Sequence, residues 1–300
     1  MEIIDSHAHI YERLCGYGPR GEARAIGGGM VEWATGQKDP FLKPEHGEYG
    51  FCPEKLLELM DEAGVSRAVL LQASNYGFQN SYTAEAVKKY PDRFTGAGTF
   101  DPYAVRAQEI FDNLTGNYGF KILKFEISEF YAITGYHPHF KVNGPELEPF
   151  LQQANDLGMT VVFDTGTMGT KGFQPKEIAE VAERYKNLTV VIAHMLFPSV
   201  KGDNDERLEI IKELGKLENI CFDTAQLQAK EGTAKLEYIR KVMDIVGSER
   251  IAWGSDCPGV FMNYTYSELI DYICKSGFFT DRETENIMAK TAHRIYKIAD

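Results

Sequence analysis

Short apolar runs rich in branched residues alternate along this chain with longer amphipathic stretches. Eight runs, near residues 2–10, 67–74, 95–102, 120–127, 160–166, 188–195, 220–227 and 251–258, have the length and composition of strands buried on both faces. Helical periodicity follows at about 53–63, 80–90, 103–115, 145–157, 175–186, 204–218, 233–246 and 281–298, in several cases behind a polar cap or proline such as Asn143-Gly144-Pro145 or Asp281. Eight units of this kind predict a (β/α)8 TIM barrel, one domain over residues 1–300. An open doubly wound sheet would use the same elements. The polar residues favour the barrel, because His7 and His9, Ser74 and Asn75, Asp101, Glu126, Asp164, His194, Asp223 and Asp256 fall towards the ends of their runs. A barrel carries its chemistry on that face.

Residues 11–51 break the pattern, joining the first strand to its helix through a segment far longer than an ordinary βα loop. It contains Gly27-Gly28-Gly29, Tyr11, Tyr17, Trp33 and three arginines, Arg13, Arg20 and Arg24, and it leaves the strand beside two histidines. It reads as a lid or substrate-binding loop.

Composition narrows the function. A formal net charge of -12 gives no basic footprint for nucleic acid and would repel an anionic membrane, which leaves small-molecule chemistry. The five cysteines are scattered without a C-x-x-C pair, so neither a disulfide framework nor a cysteine zinc site is expected and a reducing cytoplasm fits. The start, Met1-Glu2-Ile3-Ile4-Asp5, lacks the basic and apolar regions of a signal peptide, and no apolar run approaches membrane-spanning length.

The candidate chemistry begins in the first run, where the period of two along a strand puts His7 and His9 on one face. In a closed barrel the eighth strand pairs with the first, so Asp256 stands next to them. Two imidazoles and a carboxylate are a common set for Zn²⁺, Mn²⁺ or Fe²⁺ with an open coordination position. His194, ending the sixth run, offers a further ligand, electrophile or general acid.

At these residues the sequence resembles the amidohydrolase superfamily, specifically the amidohydrolase-related (amidohydrolase 2) branch, which includes lactonases and non-oxidative aromatic-acid decarboxylases. The resemblance spans nearly the whole chain. The D-x-H-x-H of the first strand falls on Asp5, His7 and His9, the histidine closing the sixth strand on His194, and the G-S/T-D closing the eighth on Gly254, Ser255 and Asp256. The tail Ala289-Lys290-Thr291-Ala292-His293-Arg294-Ile295-Tyr296 is similar to the N-A-x-R-L-Y/F ending of many members. The fifth strand departs from the family pattern, with Asp164 where a histidine ligand is usual. Asp164 would then serve as an oxygen ligand that shifts preference from zinc towards manganese, or as the hydrogen-bond partner of a neighbouring histidine in a metal-free site. Lys124 falls where some relatives carry a carbamylated lysine; a contact with a substrate carboxylate or a salt bridge with Glu126 is the simpler expectation.

The resemblance implies a hydrolase with one divalent metal ion, zinc or manganese, acting on a small anionic lactone, ester or amide through an activated water. Asp256 would take the proton of the water and His194 would stabilise the oxyanion. The same residues would serve a decarboxylase of an aromatic or unsaturated acid. From another class comes a barrel that has lost catalysis and binds a ligand. Arg13, Arg20, Arg24 and Lys124 are the expected contacts to the anionic substrate, with His137 of the His137-Pro138-His139 segment as a further candidate. Homo-oligomerisation is left open.

Overall fold

The computed structural model describes residues 1–18, 20–130, 132–199, 203–230 and 232–298. Among the described residues twelve strands form: β1 (Ile4–Ala8), β2 (Tyr17–Gly18), β3 (Gly21–Gly27), β4 (Met30–Trp33), β5 (Lys38–Pro40), β6 (Arg67–Leu70), β7 (Phe94–Gly96), β8 (Ile122–Glu126), β9 (Thr160–Asp164), β10 (Thr189–Ile192), β11 (Ile220–Asp223) and β12 (Ile251–Ala252). Around them lie α1 (Pro53–Ala63), α2 (Asn80–Lys89), α3 (Ala107–Asp112), α4 (Ile133–Tyr136), α5 (Glu148–Asp156), α6 (Pro175–Arg184), α7 (Asp205–Gly215), α8 (Ala234–Val246), α9 (Tyr266–Cys274), α10 (Asp281–Glu285) and α11 (Thr291–Tyr296).

Strands β1-β6-β7 and β8-β9-β10-β11-β12 are two runs of parallel pairing. Two seams join them. At one, Gly98 bridges Leu123, with the Gly98 amide donating to the Ile122 carbonyl (2.9 Å) and the Lys124 amide to the Gly98 carbonyl (2.9 Å). At the other, Ala8 bridges Cys257, the His9 amide donates to the Cys257 carbonyl (2.9 Å) and the Asp256 amide to the His7 carbonyl (2.8 Å). The eight strands thus form the expected barrel, with the first and last adjacent.

Period-2 geometry splits the core in two. Along β9 and β10, Val162 and Val191 belong to an inner cluster fed by all eight barrel strands, while Val161, Phe163, Val190 and Ile192 face the helices. Ala289, Ala292, Ile295, Tyr296 and Ile298 join the inner cluster, and Thr160, the first residue of β9, donates to the Ile295 carbonyl (2.5 Å). The tail therefore plugs the N-terminal end of the barrel and leaves the C-terminal end for chemistry.

Two expectations need correction. Residues 11–51 are not loop throughout: they contain an antiparallel sheet, β2-β3-β4-β5, joined by turns. Gly28 and Gly29, both at positive φ (60° and 71°), form the two-residue turn between β3 and β4, a backbone shape only glycine adopts at little cost. The helix α9 was not expected; a capping box of Thr265 and Glu268 starts it.

Candidate active site

A register irregularity in β1 between Asp5 and Ala8 separates the motif residues. Asp5 lies between the Ser255 hydroxyl (2.5 Å) and the Tyr266 hydroxyl (2.5 Å) of α9, and it also accepts from the backbone amides of His7 and Ser255. It is fully buried and ties the first strand to the last. His7 and His9 enter the other group, with ring centroids 5.1 Å apart. Gly254 allows the approach: a Cβ there would sit 2.5 Å from the His7 Cβ, so no larger residue could bring Asp256 alongside.

Both histidines have their ring orientation fixed from behind. Nδ1 of His9 donates to the Leu71 carbonyl (3.0 Å), and Nδ1 of His7 to Asp223 Oδ2 (2.9 Å). Each Nε2 is then left with a lone pair, and these face Asp256 Oδ1 at 3.0 Å (His9) and 3.4 Å (His7). Burial lowers the pKa of His9 to about 4 against the pull of Asp256. Burial alone would raise Asp256, but His9, His7 and His194 reverse this and hold its carboxyl below the usual range. Two imidazole Nε2 atoms and a carboxylate oxygen thus converge. A tetrahedral shell with bonds of about 2.1 Å has edges of roughly 3.4 Å, so the donor set fits one divalent cation.

Asp223 was legible only as a polar strand end, yet it is central. Its Oδ2 holds His7, and its Oδ1 accepts from the backbone amides of His194 (2.8 Å) and Ala225 (3.1 Å). His194 sits at the start of an unusual turn: His194, Met195, Leu196 and Phe197 all have φ between 45° and 63°. Left-handed backbone costs roughly 1–2 kcal/mol per non-glycine residue, so surrounding bonds must impose it. They include His194 Nδ1 to the Ala225 carbonyl (2.9 Å) and the Tyr238 hydroxyl to the Met195 carbonyl (2.9 Å).

Beside this turn lies a second cluster. Asp164 Oδ2 is 3.1 Å from His194 Nε2 and 3.4 Å from Lys124 Nζ, and the same Nζ is 3.4 Å from His7 Nε2. Lys124 thus pairs with Asp164, and Glu126 instead accepts from the Ser128 hydroxyl (2.9 Å). Burial would raise Asp164, but His194 and Lys124 hold it well below its usual range. Burial would lower Lys124 and His194; Asp164, with other nearby carboxylates, reverses both, pushing His194 to about 10 and keeping Lys124 an ammonium. Glu126, half-buried at the end of β8, is raised to about 7 by desolvation and then by Asp164.

These groups floor a cavity of about 330 Å³ that includes His9, Lys124, Asp164, His194 and Asp256. Phe41, Phe130 and Phe197 contribute aromatic walls, while Asn75, Glu126 and Gln226 add polar ones. Gln226 donates to Asp256 Oδ2. The three arginines stand outside this lining. Alternation along β3 buries Ala23 and Ala25 and exposes Arg24, whose guanidinium caps the Gly16 and Ala23 carbonyls. Arg13 bonds the Ala25 carbonyl and lies over Tyr49, and Arg20 stacks on Trp33 and pairs with Asp39 (2.9 Å) in an outer hollow that also reaches Phe41 and Phe130. His137 pairs with Asp101 (2.9 Å) away from the cavity lining. Lys124 alone among the expected substrate contacts is in the cavity.

Among the described residues no helix is long and apolar enough to cross a membrane. A family model described as Amidohydrolase matches residues 4–298. No curated protein matches the chain. Among solved structures, a probable 2-pyrone-4,6-dicarboxylic acid hydrolase from Acinetobacter baumannii with citric acid bound is 19% identical, with TM-score 0.69 over 99% of this chain and 100% of that one. An amidohydrolase from Burkholderia multivorans with bound zinc is 16% identical, with TM-score 0.72 over the whole of both chains. The 5-carboxyvanillate decarboxylase of Sphingomonas paucimobilis is 16% identical, with TM-score 0.57 over 81% of this chain and 82% of that one. At these identities the likeness is one of fold.

Proposed function

Since the chain belongs to the amidohydrolase family, we propose that it is a metal-dependent hydrolase of a small lactone, ester or amide, with residues 11–51 as a lid over one barrel domain. The observation that carries this is the convergence of His7 Nε2, His9 Nε2 and Asp256 Oδ1, with His9 and Asp256 lining the cavity, His7 buried behind them and both Nδ1 atoms committed elsewhere. A divalent ion bound there, zinc or manganese, supplies Lewis acidity and lowers the pKa of water.

The chain's own groups supply the rest. Asp256 is ionised and faces both the donor set and the cavity, so it accepts the proton of the attacking water and returns it to the leaving group. The His194 imidazolium, fixed through Nδ1, holds positive charge where an oxyanion develops. Lys124 and His194 are the cavity's cations and would receive an anionic substrate group, while Phe41, Phe130 and Phe197 limit water. Elemental analysis together with turnover of lactones and hydroxybenzoates, with and without chelator, tests this reading. Hydrolysis abolished by chelator and restored by metal is the expected result; CO2 release without hydrolysis would assign the decarboxylase reaction, and chelator-insensitive turnover would refute the metal's role.

A further inference from the structure

One short turn after β11 reaches three members of the site. Asp223 holds His7 and the His194 amide, and the Ala225 carbonyl accepts from His194 Nδ1. The next residue, Gln226, lines the cavity and donates its side-chain amide to Asp256 Oδ2. Its backbone is left-handed (φ 60°), in a turn closed by the Leu227 amide on the Thr224 carbonyl (3.0 Å). Glycine or asparagine fills such a position more easily than glutamine, so the turn by itself does not ask for this side chain. The turn is held from outside: Lys235 Nζ, in the first turn of α8, donates to the carbonyls of Gln226 and Gln228 (3.0 Å each).

We propose that Gln226 is a positioning residue that fixes the rotation of the Asp256 carboxylate, so that Oδ1 faces His7 and His9 before any ion is bound. The terminal torsion of an aspartate is broad and roughly two-fold, so nothing in the Asp256 side chain itself selects one rotation. Oδ1 lies 3.0 Å from His9 Nε2 and 3.4 Å from His7 Nε2. Among the described residues, the partner of Oδ2 is the Gln226 amide. A donor on Oδ2 leaves Oδ1 to the two imidazoles and sets the plane of the carboxylate against both rings. Asp256 is itself left-handed (φ 66°), and its amide is fixed on the His7 carbonyl (2.8 Å), so the residue is held at its root and at one oxygen. Two strained residues thus meet through their side chains where the site is assembled, which is where such strain tends to serve function. A donor set already turned towards an ion loses less freedom on binding it, and affinity rises without an added ligand.

This inference rests on the reading of Asp256 as a metal ligand, but the rotation of its carboxylate can be read without metal or substrate. Gln226→Gly suits the left-handed turn better than glutamine does, while Gln226→Met keeps the strain and the length; both lack the donor. Crystal structures of the metal-free proteins give the carboxylate rotation, and competition against a chromophoric chelator gives zinc affinity. Both variants are expected to show Asp256 turned from His9 or split between two rotations, with zinc bound at least about tenfold more weakly than by wild type. A residue serving only the turn would leave Gln226→Gly with wild-type affinity. An unmoved carboxylate in either variant overturns the proposal, as does zinc affinity within about threefold of wild type. A wild type that binds no zinc refutes the metal reading instead, and the carboxylate rotation alone then decides for Gln226 or against it.

Discussion

Replacing Asp223 with Asn tests whether the metal site is set from behind. Asp223 is fully buried and makes three bonds: Oδ1 accepts from the amides of His194 and Ala225, and Oδ2 accepts from His7 Nδ1. The Asn amide has the same shape but one oxygen. If that oxygen keeps the two backbone amides, the Nδ2 donor faces His7 Nδ1, which must then carry the lone pair and move its proton to Nε2. The first donor group thereby loses one of its two imine ligands. If the amide turns the other way, His7 keeps its tautomer and two buried backbone amides lose a charged acceptor, at about 1–3 kcal/mol each. The first outcome is cheaper for the fold and is the one expected. Loss of such a supporting bond lowers metal affinity roughly 10–100-fold, which is about 1.4–2.7 kcal/mol. Zinc affinity by competition against a chromophoric chelator, with the His7 tautomer read from ¹⁵N shifts, measures both ends of the argument. Zinc affinity within about threefold of wild type, with His7 still protonated at Nδ1, would refute it. Asp223→Ala, which removes every acceptor, should also cost roughly 3–5 kcal/mol of folding stability.

Gly254→Ala would place a Cβ 2.5 Å from the His7 Cβ; thermal melting should show a loss of about 1–3 kcal/mol, and metal affinity should fall with it. In the metal-free protein His194, pushed up to about 10, contributes stability that is present below its unfolded value of about 6.5 and is lost as pH rises from there to 10. Asp164→Asn should flatten that alkaline limb in melts taken across this range, and His194 titrating near 6.5 by NMR in the wild type would contradict the geometry. Arg24→Met should leave kcat/KM within about twofold once a substrate is known, because β3 turns Arg24 away from the cavity, whereas Phe41→Ala should raise KM about tenfold or more with little change in melting temperature.

The barrel was legible because parallel strands covered on both faces read as unbroken apolar runs, and Val161, Val162 and Phe163 show why: adjacent residues face different cores, and both are dry. His7, His9 and Asp256 were legible because strand period and barrel closure between them fix the juxtaposition. Asp223 carried no comparable signal, since a single acid at a strand end looks the same whether it meets solvent or holds a histidine 216 residues away. In residues 11–51 the signal was present: in Glu22-Ala23-Arg24-Ala25 polar and small apolar residues alternate before a glycine turn, as a hairpin requires, and that alternation sends Arg24 outward. The capping box at Thr265 likewise announced α9.

The closure of the barrel also sets when this protein becomes itself during synthesis. His9 and Asp256 are 247 positions apart, and the amides that fasten β1 to the last strand are equally distant in sequence. At about 5–20 residues per second, the first strand leaves the ribosome about 10–50 s before its second neighbour exists. Over that interval β1 is the open edge of a growing sheet, and edges recruit partners. Its residues give little reason for delay, since Ile4-Asp5-Ser6-His7-Ala8 is half polar and a poor template for another apolar strand. The polar side chains of β1, His7 of the proposed donor set among them, thus also keep the nascent edge unattractive until the strand that completes the ring arrives.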